Sequence, residues 1–84
     1  MVEKDYIVDI KYIVSPLPGL VAKVMKSPGD SVTNGDTVVV LNVMKTEVPI
    51  TSEYEGIVKE IYVKEWDEVD VGSKIASIEV KIEK

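Results

Sequence analysis

Along most of this chain apolar residues alternate with polar ones, and the alternation is interrupted at short intervals by glycine, proline and asparagine. In the first segment Val8, Ile10, Tyr12 and Val14 are separated mainly by charged residues. A period of two residues is typical of β-strands with one buried face, and no segment has an apolar stripe at helical spacing. The pattern predicts an all-β fold with eight strands, at residues 6–14, 20–26, 31–33, 37–43, 46–51, 57–63, 68–70 and 74–80.

The second half of the chain repeats the first. Residues 15–43 align without gaps with residues 52–80, and the turn residues coincide. A four-strand unit therefore occurs twice, at about residues 8–44 and 45–81, within a single domain of residues 1–84. Two such units predict two four-stranded sheets related by a pseudo-twofold axis, packed as a small sandwich or flattened barrel. The coinciding residues include the turn residues Asp30 with Asp67 and Gly35 with Gly72. Gly19 coincides with Gly56, and each opens a strand where a glycine permits a bulge or a close backbone approach.

Residues 37–51 make too long a segment for one strand in so small a protein, so the chain is expected to turn inside it. The seam between the two units places that turn at Met44-Lys45, where there is neither a glycine nor an Asn-Gly pair. Tight hairpins favour those residues, so we expect backbone strain at the tip. The symmetry equivalents of the seam are the chain ends near Val8 and Lys81, so the hairpin is expected at the opposite end of the domain.

The composition excludes most kinds of catalytic site. The 84 residues contain no cysteine and no histidine, which removes thiolate nucleophiles, disulfides, imidazole bases and the commonest zinc ligands. No calcium-loop pattern is present, and we predict no catalytic or metal-binding residue. Fifteen acidic residues against ten lysines give a net charge of −5, which disfavours nucleic acid or an anionic membrane as a partner.

Two further features bear on location. No apolar run is long enough to span a bilayer, so we predict no membrane insertion. The first six residues have neither a signal-peptide nor a transit-peptide pattern. We therefore expect a small cytoplasmic binding or carrier module that is not itself an enzyme.

Three motifs resemble those of a known family. Residues 43–46 (Val-Met-Lys-Thr) resemble the attachment motif of biotin carboxyl carrier domains, which belong to the biotinyl and lipoyl attachment superfamily. Residues 29–35 (Gly-Asp-Ser-Val-Thr-Asn-Gly) are similar to a turn of these carriers, and residues 15–19 (Ser-Pro-Leu-Pro-Gly) are similar to their entry segment. The resemblance covers about residues 13–80 and implies the barrel-sandwich hybrid fold of that superfamily.

The resemblance also implies a function. Lys45 would bear covalently attached biotin, with Val43, Met44 and Thr46 as the flanking motif. A biotin protein ligase would form the amide bond, and the attached biotin would carry a carboxyl group from a biotin carboxylase to a carboxyltransferase or decarboxylase. The domain would supply position and recognition, while the cofactor supplies the chemistry.

Two positions depart from the usual motif, and two other functions stay open. Asn42 stands where these carriers usually have an acidic residue, and Thr46 replaces a second methionine. As a first alternative, the lysine would carry lipoate in a 2-oxoacid dehydrogenase-type complex, although lipoyl domains usually have aspartate where this chain has Met44. As a second alternative, the fold would be an unmodified structural or adaptor domain in which Lys45 has no special role.

Three other residues carry expectations about packing. Met44 is either a recognition residue or a flexible apolar packing residue. Trp66 stands where the first repeat has Gly29, and we expect it to be a partly exposed packing residue in a loop. Pro49 has no backbone N–H, which indicates an edge strand.

Overall fold

The computed structural model describes residues 6–83, with side chains described for residues 7–82. These residues form eight strands, which confirms the predicted all-β class, and no helix among them is long and apolar enough to cross a membrane. The strands are β1 (Tyr6–Val14), β2 (Gly19–Val24), β3 (Ser31–Val32), β4 (Thr37–Val43), β5 (Thr46–Thr51), β6 (Gly56–Ile61), β7 (Glu68–Val69) and β8 (Lys74–Glu83).

The strands form two four-stranded antiparallel sheets, as predicted. One sheet has the order β1-β8-β6-β3 and the other has the order β5-β4-β2-β7. Each sheet therefore takes two strands from each repeat, so neither repeat can form a complete sheet by itself. Pro49 lies in β5, which is an edge strand of its sheet, as its missing N–H indicated.

The repeat is present in the backbone hydrogen bonds as well as in the sequence. Every pair of facing residues between β4 and β5 recurs 37 positions away between β8 and β1, including the local shift of register. The connecting segments match too, since Ser52 N–H donates to the carbonyl of Asp36 (2.8 Å) and Ser15 N–H donates to the carbonyl of Ser73 (2.9 Å). The two halves thus share one backbone geometry related by a pseudo-twofold axis.

The core lies between the two sheets and consists of aliphatic side chains from both repeats. Alternation along the strands places one set of these side chains inward, except where the register shifts in β4 and β8 and two successive aliphatic residues are buried. The largest fully buried side chains are Leu41, Ile75 and Ile78. Because the sheets are interleaved, burial of each repeat depends on the other. The buried apolar residues are Ile13, Val21, Val32, Val38, Val39, Leu41, Ile50, Val58, Val69, Ile75, Ala76 and Ile78.

Some strand bounds differ from the predicted ones, while β1, β4 and β5 have the predicted bounds. β2 and β6 each end two residues earlier, because the chain leaves the ladder there. The N–H of Met25 still donates to the carbonyl of Val38 (2.8 Å), but as a single bond beyond the paired residues. β8 continues to Glu83 because β1 supplies facing residues as far as Tyr6.

Trp66 occupies the same backbone position as Gly29. Trp66 N–H donates to the carbonyl of Val21, and Gly29 N–H donates to the carbonyl of Val58, each over 2.8 Å. Both residues have positive φ angles, +77° for the tryptophan and +95° for the glycine. The tryptophan is 74% exposed, so the expectation that it packs is wrong. The turn needs a left-handed backbone, and that backbone directs the indole into solvent.

The turn that leads into β4 is held by Asp36. Its carboxylate oxygen accepts a hydrogen bond from the N–H of Thr33 (2.9 Å), and Lys26 Nζ lies 4.0 Å away. The hydrogen bond from the Thr33 backbone is the main cause that lowers the pKa of Asp36; the Thr33 hydroxyl and Lys26 act in the same direction, and partial desolvation opposes them. This turn lies directly before β4, the strand whose other end leads into the turn at Met44-Lys45.

The molecule is elongated, at 54 × 19 × 19 Å. Its long axis exceeds the roughly 33 Å that the ten residues of β8 span. The pseudo-twofold axis exchanges the β4–β5 hairpin with the paired ends of β8 and β1. The hairpin and those paired strands therefore lie on opposite sides of the pseudo-twofold axis.

Candidate functional site: the tip of the β4–β5 hairpin

The hairpin turns through two residues only. Val43 faces Thr46 as the last pair of the ladder, which leaves Met44 and Lys45 as the whole loop. Their φ angles are +49° and +68°. Two consecutive positive φ angles in a two-residue loop are the mark of a type I′ turn, which normally takes Asn-Gly or a similar pair. The predicted strain is therefore present, at about 1 kcal/mol for each of the two residues.

Asn42 holds this turn in place. Its side-chain oxygen accepts a hydrogen bond from the backbone N–H of Lys45, with 3.1 Å between the two atoms. Asparagine side chains commonly bond backbone groups a few residues along the chain and so stabilise turns. In the sequence Asn42 was only a departure from a motif. Its position three residues before the lysine is the signal that would have identified it as a turn residue.

We expect Asn42→Ala to destabilise the hairpin by about 1 kcal/mol, the usual net value of one such hydrogen bond. Asn42→Asp keeps the acceptor oxygen and serves as the matched control. Hydrogen exchange of the Lys45 amide measures the effect directly, and we expect faster exchange in the alanine variant alone. Equal exchange rates in both variants would mean that the bond does not order the tip.

The side chains at the tip are exposed and have no packing role. Met44 is 93% exposed, which excludes the possibility that it packs against the fold. Lys45, Thr46 and Glu47 are also exposed. Val43 is half-buried and packs against the core, so it belongs to the base of the hairpin and not to its displayed part. The structure thus separates the four motif residues into three that are displayed and one that anchors.

The base of the hairpin is fixed by close backbone packing against β2. A Cβ atom at Gly19 would lie 2.9 Å from Cγ2 of Val43 and 3.1 Å from the carbonyl oxygen of Asn42. Glycine lets the two strands approach this closely, as the sequence indicated, whereas a larger residue would have to displace the Val43 side chain. Leu41, two residues before Val43, is fully buried and ties the same strand to the core. The tip therefore stands on a rigid base.

No acid–base or metal site accompanies Lys45. Within residues 7–82 the recorded ion pairs are Lys11–Asp9 and Lys26–Asp36, and neither is at the hairpin. The same part of the chain contains no group of three or more carboxylates placed to hold a metal ion. The tip can therefore offer an amine to an external enzyme, which must supply the activation.

The cavity of about 440 Å³ in this molecule is not at the hairpin tip. It lies between the edge strands β1 and β5, and its lining contains one carboxylate, Glu53, and no lysine. A single carboxylate without a partner does not make an acid–base pair. The lining of this cavity therefore does not indicate a catalytic site.

Comparison with known proteins adds independent information. A family model described as "Biotin-requiring enzyme", of the biotin/lipoyl type, matches residues 11–78. The urea amidolyase of Lachancea kluyveri is 38% identical over 78 residues, which cover 93% of this chain and 4% of that protein. The dihydrolipoyllysine-residue succinyltransferase component of the 2-oxoglutarate dehydrogenase complex of Staphylococcus saprophyticus is 38% identical over 60 residues, covering 71% of this chain and 14% of that protein.

A solved structure agrees with this fold. The crystal structure of the Kluyveromyces lactis urea carboxylase matches with a TM-score of 0.79 and 33% identity, over 83% of this chain and 6% of that one. The chain therefore spans only a small part of the length of these larger relatives. The relatives include both a biotin-type and a lipoyl-type protein, so the comparisons establish the kind of domain and leave the attached group to be argued from the site.

Proposed function

The chain belongs to the biotin/lipoyl attachment family of biotin-requiring enzymes, and on that premise we propose that it is a biotin carboxyl carrier whose attachment site is Lys45. One observation carries the proposal. The fold keeps Met44 and Lys45 in a strained type I′ turn and gives neither side chain a packing role. Strain retained where no structural need exists is characteristic of functional sites. We therefore assign the strained turn the role of displaying the lysine to other proteins.

The covalent step takes place at one atom of this chain. The amine Nζ of Lys45 forms an amide bond with the carboxyl group of biotin and loses its positive charge. ATP drives the bond formation on a biotin protein ligase and leaves as AMP and pyrophosphate. The net charge of the chain would change from −5 to −6. The exposed, two-residue tip fits this step, because the amine can enter a ligase active site without unfolding any strand.

Biotin once attached supplies a ureido ring that carries a carboxyl group between a biotin carboxylase and a carboxyltransferase or decarboxylase. This chain contributes the rest of the function. Its rigid hairpin base, fixed by Gly19 and Val43, limits the directions that the tip can take. A short tether on a rigid base raises the local concentration of the reactive group at both active sites. The domain is thus a non-catalytic carrier, which we place in the cytoplasm with those partners.

Met44 favours biotin over lipoate. An apolar side chain that is 93% exposed at the tip provides an apolar contact for a ligase, whereas lipoyl domains usually have an aspartate at this position. An unmodified structural role would leave the strain at Met44 and Lys45 without a purpose. One experiment distinguishes the biotin carrier from a lipoyl carrier and from an unmodified domain.

The test is an intact-mass measurement after incubation with ATP, Mg²⁺, biotin and a biotin protein ligase. We expect one biotin adduct on the wild-type chain and none on Lys45→Arg, in which the other nine lysines remain. A parallel incubation with lipoate and a lipoate ligase should give no adduct. Circular dichroism confirms that both proteins are folded.

Other outcomes would contradict the proposal in distinct ways. A lipoyl adduct in place of a biotin adduct would identify a lipoyl carrier. A folded chain that accepts neither group would favour an unmodified scaffold. An adduct that persists in Lys45→Arg would mean that another lysine is the target.

A further inference from the structure

One edge of the fold is left open. In the order β1-β8-β6-β3, strand β1 is paired with β8 on one side and has no hydrogen-bonded strand among the described residues on the other, where its C-terminal part faces β5 across the cavity described above. Its side chains Val8 and Tyr12 are 50% and 45% exposed. A nine-residue edge strand without proline is a template for pairing with another strand, and proteins that avoid such pairing usually block the edge.

The symmetry-related edge strand, β5, is blocked in that way. In a two-residue hairpin the residues beside the turn form a hydrogen-bonded pair, and pairs then alternate along the ladder. Counting from Thr46, Pro49 falls in a non-hydrogen-bonded pair, so its nitrogen faces the free edge. Proline there costs no bond to β4 and denies a donor to any approaching strand. The equivalent residue in β1 is Tyr12, which keeps its N–H.

The same alternation identifies the free backbone groups of β1. Because β1 pairs with β8 in the register of β5 with β4, the N–H and carbonyl groups of Val8, Ile10 and Tyr12 face away from β8. Those of Asp9 and Lys11 face β8 and are used in the ladder. A second strand can therefore pair with this part of β1 only through Val8, Ile10 and Tyr12.

The sequence of β1 is self-complementary in one antiparallel register. When Ile10 faces Ile10 of a second copy, Val8 faces Tyr12, and Asp9 faces Lys11. The aromatic and β-branched residues then meet on one face, and opposite charges meet on the other, both of which are favourable cross-strand pairs. Within one chain the Lys11 Nζ and an Asp9 oxygen are already 3.2 Å apart, so the second copy would complete a cluster of two acids and two lysines.

Other registers with the correct hydrogen-bonding groups do not satisfy the charges. A register centred on Val8 places Asp9 opposite Ile7, and one centred on Tyr12 places Lys11 opposite Ile13. Each leaves a charged side chain against an apolar one in a newly covered surface, which is unfavourable. Registers centred on Asp9 or Lys11 can also pair the free backbone groups, but they place Asp9 opposite Asp9 or Lys11 opposite Lys11, which brings like charges together.

We propose that two copies of this chain associate through their β1 strands, antiparallel and centred on Ile10, to join two four-stranded sheets into one eight-stranded sheet. About six backbone hydrogen bonds would form across the new pair. The hairpin that bears Lys45 belongs to the other sheet and is left free by this association. The proposal concerns a surface distinct from the candidate attachment site and does not depend on which group Lys45 carries.

The first test compares molecular mass in solution by sedimentation equilibrium at micromolar to millimolar concentration. We expect the wild-type chain to reach twice its monomer mass, and Tyr12→Pro, which copies the blocked edge of β5, to stay monomeric at every concentration. Circular dichroism verifies that the variant is folded. A wild-type chain that is monomeric throughout, or a dimer that survives Tyr12→Pro in a folded protein, would overturn the proposal.

A second test does not depend on proline and separates this interface from contacts within one chain. Asp9→Lys gives a strand with two lysines and Lys11→Asp gives one with two aspartates, so each variant alone brings like charges together across the proposed pair. We expect each to be at least tenfold weaker in self-association than the wild type, and an equimolar mixture to form the mixed dimer. Self-association of either variant at the wild-type level, or a mixture that associates no better than its components, would contradict the register centred on Ile10.

Discussion

Gly56→Ala is expected to destabilise the protein by about 3 kcal/mol and to lower its melting temperature by about 15 °C. A Cβ atom at this position would overlap the carbonyl oxygen of Glu79 and would lie 3.0 Å from its carbonyl carbon and 3.1 Å from Cγ2 of Ile78. The first two neighbours are backbone atoms of β8, a central strand of its sheet, so they cannot turn aside as a side chain would. Relief requires β6 and β8 to separate.

The matched control is Gly72→Ala. Gly72 has a φ angle of +86°, and a Cβ atom added there would have no neighbouring atom within 4 Å, so alanine costs only the left-handed backbone, about 1 kcal/mol. Urea unfolding of both variants, followed by circular dichroism, gives the two free energies of unfolding. Equal losses in the two variants would mean that the β6–β8 contact has room to relax.

Gly19→Ala places the same change at the symmetry-related position and links stability to the site. The new Cβ would meet the side chain of Val43 first, at 2.9 Å, and that side chain can shift. We therefore expect a smaller loss of stability than for Gly56→Ala. The new Cβ would also lie 3.1 Å from the carbonyl oxygen of Asn42, so any further relief would come from β4, the strand that ends at the hairpin tip. The two glycines are equivalent in sequence, and only the contacts around them distinguish their consequences.

Met44→Asn is expected to raise stability by about 1 kcal/mol while it slows biotin attachment at Lys45 at least tenfold. Asparagine adopts positive φ more readily than methionine and is favoured in type I′ turns, so the substitution relieves strain. It also removes an apolar side chain that is 93% exposed and does not pack against the fold. In our proposal this side chain contacts the ligase, so its loss slows attachment. Opposite effects on stability and activity are the usual result of relieving strain at a functional site.

Urea unfolding measures the first effect, and the initial rate of biotin transfer by a biotin protein ligase measures the second. Met25→Asn is the matched control, because Met25 is also exposed, at 53%, and lies outside the hairpin. Its rate of attachment should equal that of the wild type. A Met44→Asn protein that is modified at the wild-type rate would show that the ligase does not use this side chain, and a loss of stability would show that the turn is not strained.

The strand positions could be read from the sequence because they depend on local patterns, and the attachment family was indicated by the resemblance of three short motifs. Period-two alternation and turn residues located the eight strands, and three of them, β1, β4 and β5, have the predicted bounds. The remaining errors are at strand ends. A strand ends where its partner strand ends. β8 reaches Glu83 because β1 begins at Tyr6, and the pattern within one segment does not show how far its partner extends.

The tip of the hairpin was predicted in part. The turn at Met44-Lys45 followed from the length of the segment and from the seam of the repeat, and the absence of glycine predicted the strain that its positive φ angles confirm. The bond from the Lys45 N–H to Asn42 was not predicted, because it depends on a side-chain orientation that the turn itself creates. Trp66 was misjudged for a related reason. Its left-handed backbone, inherited from the turn that Gly29 also forms, directs the indole outward.

The sequence by itself determined an all-β chain of two equivalent units with an exposed lysine at their seam, since those features depend on short-range periodicity, turn chemistry and self-similarity. Only the tertiary structure decided that the two units are interleaved, with each sheet taking β-strands from both. Pairing between distant strands depends on which edges are free and how closely two backbones approach, as at Gly56 and Glu79. Pro49 and Tyr12 are equivalent in the repeat, and the strand order shows that both lie on edge strands. Only then does it matter that Tyr12 has a backbone N–H for a further strand and Pro49 has none.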